Sequence, residues 1–260
     1  MMEDQDYGWF VQQIKQTISI DLSLYKSKQM KRRLTTLMIS RGYSHFKPYY
    51  EALMQDSQLM NEFLDRITIN VSEFWRNPDV WRRLIQKFIP ELSYRSPRLK
   101  VWSAACSSGE EPYTLAMIFD HLGMSNQVEI LAADLDKNML EKAKTAVYPA
   151  QSVKEVPEEY LKKYFREQNG MYHLDAALKQ NVRFSQMNLL SDPFPEKLDL
   201  IVCRNVMIYF TDQAKQMLYL KFAHALKPGG ILLVGSTEQI LQPEQYQFES
   251  ADPFFYRKVG

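Results

Sequence analysis

The sequence predicts an α/β protein with a doubly wound, mostly parallel sheet, a small all-α N-terminal domain ahead of it and an inserted β subdomain. Three observations carry this. The first 70 residues show helical spacing and no convincing strand. From Arg98 onward, short apolar runs alternate with helical patterns, the signature of parallel strands covered on both faces. Asn169-Gly170 then sits between two short β-like segments where that alternation breaks, a hairpin signal.

Taken in order, apolar residues recur at helical spacing in Phe10, Val11, Ile14 and Ile18, in Met30, Leu34, Leu37 and Met38, and in Tyr49, Leu53, Leu59, Phe63 and Ile67. Arg41-Gly42-Tyr43 reads as a helix stop, and Pro48 suits the first turn of the next helix. A bundle of about four helices is expected over residues 1–68. Residues 69–97 are expected to be a linker, and 98–260 the α/β domain. Its strands are predicted at 99–104, 128–133, 182–186, 198–203 and 231–235, and its helices at 112–122, 137–146 and 212–226. After the sharp LKPGG turn, 254–258 (FFYRK) is predicted to return as an antiparallel strand. The insertion is expected at about 148–187, with helical EEYLKKYF followed by NGMYHLD and NVRFSQM.

Composition narrows the function classes. A chain of 260 residues with 45% hydrophobic content is that of a globular protein. A net charge of +1 argues against a dedicated nucleic-acid binder. No run approaches the ~18 apolar residues of a membrane span, and the acidic MMEDQDYGWF terminus lacks a signal-peptide pattern. Cys106 and Cys203 have no metal-ligand spacing, which suits reduced thiols in a cytoplasmic protein. His45, His121, His173 and His224 are scattered, so no metal is expected. The absence of GxSxG, Pro-Cys and Asn-Pro-Pro-Tyr weakens esterase and base-methylation readings.

The most informative stretch is 101–116, VWSAACSSGEEPYTLA, read with AADLD at 132–136. It reads as a buried strand, a tight loop of small residues and the opening of a helix. Asp134 lies 25 residues after Gly109, near the ~20-residue interval of a ribose-binding acid. The loop is not GxGxxG; Ala104, Ala105, Ser107 and Ser108 give the close backbone approach, and Glu110 and Glu111 open the helix. Those acids would repel a phosphate at the helix N-terminus. They suit a ligand with an ammonium group and no phosphate, such as S-adenosylmethionine. The alternative is a pair of first-turn glutamates that only complement the helix dipole.

Two further segments carry polar residues at telling places. RITINVSEFWRN, 66–77, sets Asn70, Ser72, Glu73 and Arg76 among Ile69, Val71, Phe74 and Trp75 at the domain junction. It is either a lid over the nucleoside site or an amphipathic linker with its polar face in water. In LIVCRNVMIYF, 200–210, Arg204-Asn205 falls at the carboxyl end of a strand, where open α/β sheets bind ligands, with Tyr209 four residues on. The bland alternative pairs Arg204 with an acid and buries Tyr209. Asn188-Leu189 follows another strand and would close the crevice around an adenine. The basic cluster Lys26, Lys28, Lys31, Arg32 and Arg33 falls on a predicted helix, either as a solvated face or as a dock for an acidic partner.

Together, INVSEFWRN, WSAACSSGEEPYTLAM, AADLDKNMLEKA and CRNVMIYF resemble the CheR family of chemotaxis-receptor glutamate O-methyltransferases, over almost the whole chain. The resemblance implies a Rossmann-like class I S-adenosylmethionine-dependent methyltransferase sheet. It implies methyl transfer to glutamate side chains on the cytoplasmic methylation helices of chemotaxis receptors, with S-adenosylhomocysteine as product. Carried over by position, it puts Asn70, Ser72, Arg76, Ala104, Glu111, Asp134, Leu135, Asn188, Leu189, Arg204 and Asn205 at the cofactor. Members often have threonine where Ser72 stands, and the hydroxyl survives. Glu111 is expected to hold the methionine amino group, with Glu110 as the adjacent alternative. Asp134 would hold the ribose, and Leu135 would lie against the adenine.

Arg76 and Tyr209 match the catalytic positions, and Lys26, Lys31, Arg32 and above all Arg33 the receptor contact. A cytoplasmic monomer with no nucleic-acid partner and no membrane insertion is the expectation. The REQNGMYHL hairpin is short, whereas members that tether to a receptor's terminal pentapeptide have a longer, glycine-richer turn; this chain resembles the pentapeptide-independent type. Two other readings remain: a non-catalytic sensor of the cofactor or its product, and a carboxyl methyltransferase with another acidic substrate.

Overall fold

A computed structural model describes residues 2–68 and 70–260; Ile69 of the linker motif lies outside the described residues. The chain divides into two compact units, Met1–Ile69 with Ile208–Met217, and Asn70–Met207 with Leu218–Gly260.

The first unit contains α1 (Met2–Ile18), α2 (Ser27–Ser40), α3 (Phe46–Gln55) and α4 (Ser57–Ile67). Their apolar stripes meet at Phe10, Leu34, Tyr49 and Phe63, all fully buried. The Phe10 ring lies 4.9 Å from Phe46 and 5.8 Å from Phe63. A single residue separates α3 from α4: Asp56 ends the first and caps the second, accepting from Gln58 N at 2.8 Å. The strand-to-helix segment 208–217 also belongs to this unit, which the sequence pattern did not predict. Thr211 N donates to Leu24 O at 2.8 Å and Lys26 N to Tyr209 O at 2.9 Å, and Tyr25 forms a β-bridge with Phe210.

The second unit opens with α5 (Pro78–Arg83) and α6 (Ile89–Arg95), joined by a π-helical turn, Leu84–Phe88. Pro90 accounts for that turn, because its ring would clash with a carbonyl one turn back in a regular α-helix. There follow β1 (Leu99–Ala104), α7 (Glu110–His121), β2 (Val128–Asp134), α8 (Lys137–Thr145), β3 (Val147–Pro149), α9 (Ala150–Val153) and α10 (Glu158–Tyr164). Then come β4 (Phe165–Gln168), β5 (Met171–Leu174), α11 (Ala176–Gln180), β6 (Val182–Gln186), β7 (Leu198–Cys203), α12 (Asp212–Ala225), β8 (Leu226–Val234), β9 (Phe248–Asp252) and β10 (Phe255–Lys258). Seven strands form one sheet in the order β6-β2-β1-β7-β8-β10-β9, the first five mutually parallel and β10 antiparallel to both its neighbours, β8 and β9. The winding reverses between β1 and β7, which opens a crevice at their carboxyl ends.

Three sequence expectations shift. The helix predicted from Pro112 begins at Glu110, since a missing proline N–H is harmless anywhere in the first turn. The stretch read as the insertion reaches 187, but Val182–Gln186 is the edge strand of the large sheet, in register with Ile130–Asp134 of β2. The small sheet is β3-β5-β4, closed by the Asn169-Gly170 turn with both residues left-handed. β9 was not predicted; FESAD lacks an apolar run and is recruited as an edge by β10. No helix among the described residues is long and apolar enough to cross a membrane.

Candidate active site

At the end of β1 the chain is tied to the end of β2: Ala105 N and Cys106 N both donate to Ala133 O, at 2.8 and 2.9 Å. Ala105, Ser107 and Gly109 all have positive φ, so the loop coils tightly. Gly109, the residue before α7, adopts φ +94°, and a Cβ there would sit 2.8 Å from Ala143 Cβ. Glycine is therefore required both for the turn and for the approach of α8. Ala104, wholly buried, ends β1.

Asp134 ends β2 almost fully buried. Its two oxygens accept from Ser107 N at 2.7 Å and Asp136 N at 2.9 Å. Burial pushes its carboxyl up, against the pull of these backbone bonds. An ionised carboxylate offers about four acceptor positions, and the backbone N–H groups of Ser107, Asp136 and Leu135 draw on them, leaving the rest for hydroxyls. Asp136 caps α8 through Asn138 N at 2.9 Å and accepts from Asn70 Nδ2 at 2.8 Å. Asn70 Oδ1 in turn accepts from Ser107 Oγ at 3.4 Å. The linker is thus latched onto the β1–α7 loop and the start of α8.

The two glutamates are separated by their partners. Glu110 is bound by Ser108 Oγ at 2.8 and 2.9 Å and by Ser72. Glu111 accepts from Ser103 Oγ on β1 at 2.8 Å and faces Arg204 Nη1 at 3.6 Å, so it spans the carboxyl ends of β1 and β7. Burial raises the pKa of both.

Arg204 is buried by Trp81, whose ring lies 5.2 Å from the guanidinium carbon. Its Nη2 donates to Arg76 O at 2.8 Å and Asn77 Oδ1 at 2.9 Å. Burial, offset by Glu111 and reinforced by the nearby Arg76 cation, lowers its pKa. Its Nε is buried with no hydrogen-bond partner among the described residues. Such an orphaned donor beside a second guanidinium suits an incoming carboxylate. Arg76 itself donates to Val71 O at 3.1 Å.

At the end of β6, Asn188 Oδ1 accepts from Leu190 N at 3.0 Å and folds a turn that buries Leu189. Leu135, half-buried, offers its carbonyl to Gln186 Nε2 at 3.0 Å. Asn205 follows Arg204 with φ +61°. The remaining expected residues lie in the first unit. Tyr209 is on the short 3₁₀ turn Met207–Tyr209. Lys26, Lys28 and Arg32 are exposed at the start of α2, and Lys31 stands 5.9 Å from the Tyr7 ring. Arg33 is spent inside the unit: its Nη2 donates to Arg66 O and, at 3.2 Å, to Thr68 O at the end of α4.

Residues 70–255 match the CheR methyltransferase SAM-binding domain, and residues 5–68 match the CheR methyltransferase all-alpha domain. The chain belongs to the CheR methyltransferase family. It is 40% identical over 257 residues to a chemotaxis protein methyltransferase of Listeria monocytogenes, covering 98% of each chain. It is 35% identical to that of Borreliella burgdorferi, over 85% of this chain and 83% of the relative, and 31% identical to that of Escherichia coli, over 94% and 87%. The resemblance read from the four motifs is borne out, as are the fold class and the cofactor. This CheR chain is an S-adenosylmethionine-dependent methyltransferase, and its orphaned Arg204 donor and buried acids fit the amino-acid end and the ribose of that cofactor.

The sequence pattern did not flag Ser103, Asn77, Trp81, Asp136 or Glu238. Asp136 had a signal, since an acid at the start of LDKNML reads as a helix cap. Ser103 and Trp81 carried none, because their roles depend on which strand ends meet.

Proposed function

We propose that this chain methylates glutamate side chains on the cytoplasmic helices of chemotaxis receptors, forming methyl esters. The carrying observation is Arg204, whose buried Nε has no partner among the described residues while its Nη1 faces the Glu111 carboxylate and its Nη2 the Arg76 carbonyl, in a family built to bind S-adenosylmethionine. Glu111 would hold the ammonium group and Arg204 Nε the carboxylate of the methionine portion. Asp134 would hold the ribose hydroxyls, and Leu135, Asn188 and Leu189 would close on the adenine. Ala104, Asn70, Ser72 and Asn205 complete the cofactor set, Asn70 through its latch to Asp136. Glu110, already engaged by Ser108 and Ser72, supports the loop.

S-adenosylmethionine supplies a methyl carbon made electrophilic by its sulfonium. A glutamate carboxylate, with an unperturbed pKa near ~4.3, is ionised at neutral pH and requires no general base. Catalysis then reduces to placing that oxygen within ~3–3.5 Å of the methyl carbon. Arg76 would orient the carboxylate through its guanidinium, and Tyr209 is assigned the same task on the family motif. The first unit would recognise the receptor, with Lys26, Lys31 and Arg32 offering charge to an acidic helix. The two-residue hairpin turn supports a pentapeptide-independent enzyme.

The test is transfer from radiolabelled S-adenosylmethionine to a receptor cytoplasmic fragment, with label released as methanol by mild base. Label that is base-labile and lost on mutating the receptor glutamates supports the reading. Cofactor binding without transfer to any receptor fragment refutes it and favours a sensor.

A further inference from the structure

Glu238 sits in the turn after β8, between an exposed Ser236 and Thr237 and an exposed Gln239, yet is only 5% exposed. The parallel ladder between β7 and β8 ends at the Cys203–Val234 pair. Beyond that pair the Asn205 N–H has lost its strand partner, and a single carboxylate oxygen takes its place. Glu238 Oε2 accepts from Asn205 N at 2.6 Å and from Gly235 N at 2.8 Å. Glu238 N closes the turn on Gly235 O at 2.9 Å. The approach depends on Gly235: a Cβ there would collide with Glu238 Oε2 and stand 3.0 Å from Asn205 N.

We propose that Glu238 is a positioning residue for the methyl donor, holding the Arg204-Asn205 turn in its left-handed form through the Asn205 N–H so that Arg204 faces the methionine site. The inference rests on the cofactor reading above. Asn205 holds φ +61°, a left-handed conformation that asparagine tolerates better than other non-glycine residues, and the Glu238 carboxylate on its N–H favours that form over the alternatives. Released, the turn relaxes, and the adjacent Arg204 loses its aim at Glu111, Arg76 O and Asn77. Glu238 also places its charge near both Arg204 and Glu111, so the brace and the site are electrostatically coupled.

The test is calorimetric binding of S-adenosylhomocysteine to the full chain and to Glu238→Ala, Glu238→Gln and Gly235→Ala. Glu238→Ala is expected to bind about tenfold more weakly, a change of about 1.4 kcal/mol, and Gly235→Ala to match it by displacing the carboxylate. Glu238→Gln keeps an oxygen that accepts both N–H groups and is expected to stay within about threefold. In turnover, KM for S-adenosylmethionine should rise while KM for the receptor fragment holds, a split that general loosening of the fold would not give. Wild-type affinity in Glu238→Ala, or an equal loss in Glu238→Gln, overturns the proposal; if Glu238→Ala does not fold, Gly235→Ala and Glu238→Gln decide it. Failure of the wild-type chain to bind the product overturns the cofactor reading instead.

Discussion

Asp134→Asn separates scaffolding from ribose recognition at one position. In the native chain one carboxylate oxygen accepts Ser107 N at 2.7 Å and the other Asp136 N at 2.9 Å. The asparagine amide has one accepting oxygen, so one of these buried N–H groups meets an NH₂ and is left without an acceptor. Orphaning a buried donor costs about 1–3 kcal/mol, and about 1 kcal/mol moves the melting temperature of a domain of this size class by about 2–4 °C. A loss of about 2–12 °C in Tm is expected for the unliganded protein. Cofactor binding should suffer beyond this, because charge-assisted bonds to two ribose hydroxyls are exchanged for weaker ones at about 1.5 kcal/mol or more each. That amounts to roughly a hundredfold in Kd. The assay pairs a thermal melt with titration of S-adenosylhomocysteine. Wild-type affinity in a destabilised variant would refute the ribose role, and an unchanged Tm would refute the scaffolding role.

Asn70→Ala removes the latch to Asp136 and should weaken product binding by about 1.5 kcal/mol, roughly tenfold, with faster amide exchange at Ser107 as the local readout. Arg33→Glu cuts two bonds to the carbonyls that end α4, so it should destabilise the first unit by about 1–3 kcal/mol, seen in denaturant melts. The exposed pair Lys28→Glu and Arg32→Glu is the cleaner probe of receptor docking. Stability should stay within about 0.5 kcal/mol, KM for the receptor fragment should rise, and product affinity should hold. Glu111 has a raised pKa in the folded protein, chiefly through burial. A raised carboxyl stabilises the unliganded fold at low pH and loses that contribution as pH rises through the folded value. An ammonium ligand requires the ionised form, so product affinity should fall as pH drops from neutrality toward the carboxylate range, with protons released on binding. Glu111→Gln should flatten that dependence; an unchanged slope would reassign the ammonium contact.

What was legible in the sequence follows from how far each signal reaches. The α/β alternation, the four N-terminal helices and the two-residue hairpin are written in local periodicity and turn chemistry, and they stand in the structure. The edge strands were harder. Val182–Gln186 has a short mixed pattern that reads equally as hairpin or sheet edge, and only its register with β2 decides between them. Segment 208–217 was illegible as part of the helical unit, because the Lys26–Tyr209 and Leu24–Thr211 bonds join residues more than 180 positions apart.

The site shows the same division. Motif residues such as Asp134 and Arg204 were visible because an acid or a guanidinium ending an apolar strand is chemically conspicuous. Their partners were not. Asn77, Trp81 and Glu238 carry no site signal in the sequence until tertiary contact turns them into an acceptor, a cation–π wall and a substitute ladder partner for Arg204-Asn205. Arg33 is the converse case: a cluster of basic letters suggested one shared role, but geometry assigns this member to helix-end carbonyls while Lys28 and Arg32 face solvent. Charge in a sequence locates a surface; which cations remain available to a partner is settled by the carbonyls and rings within reach of each.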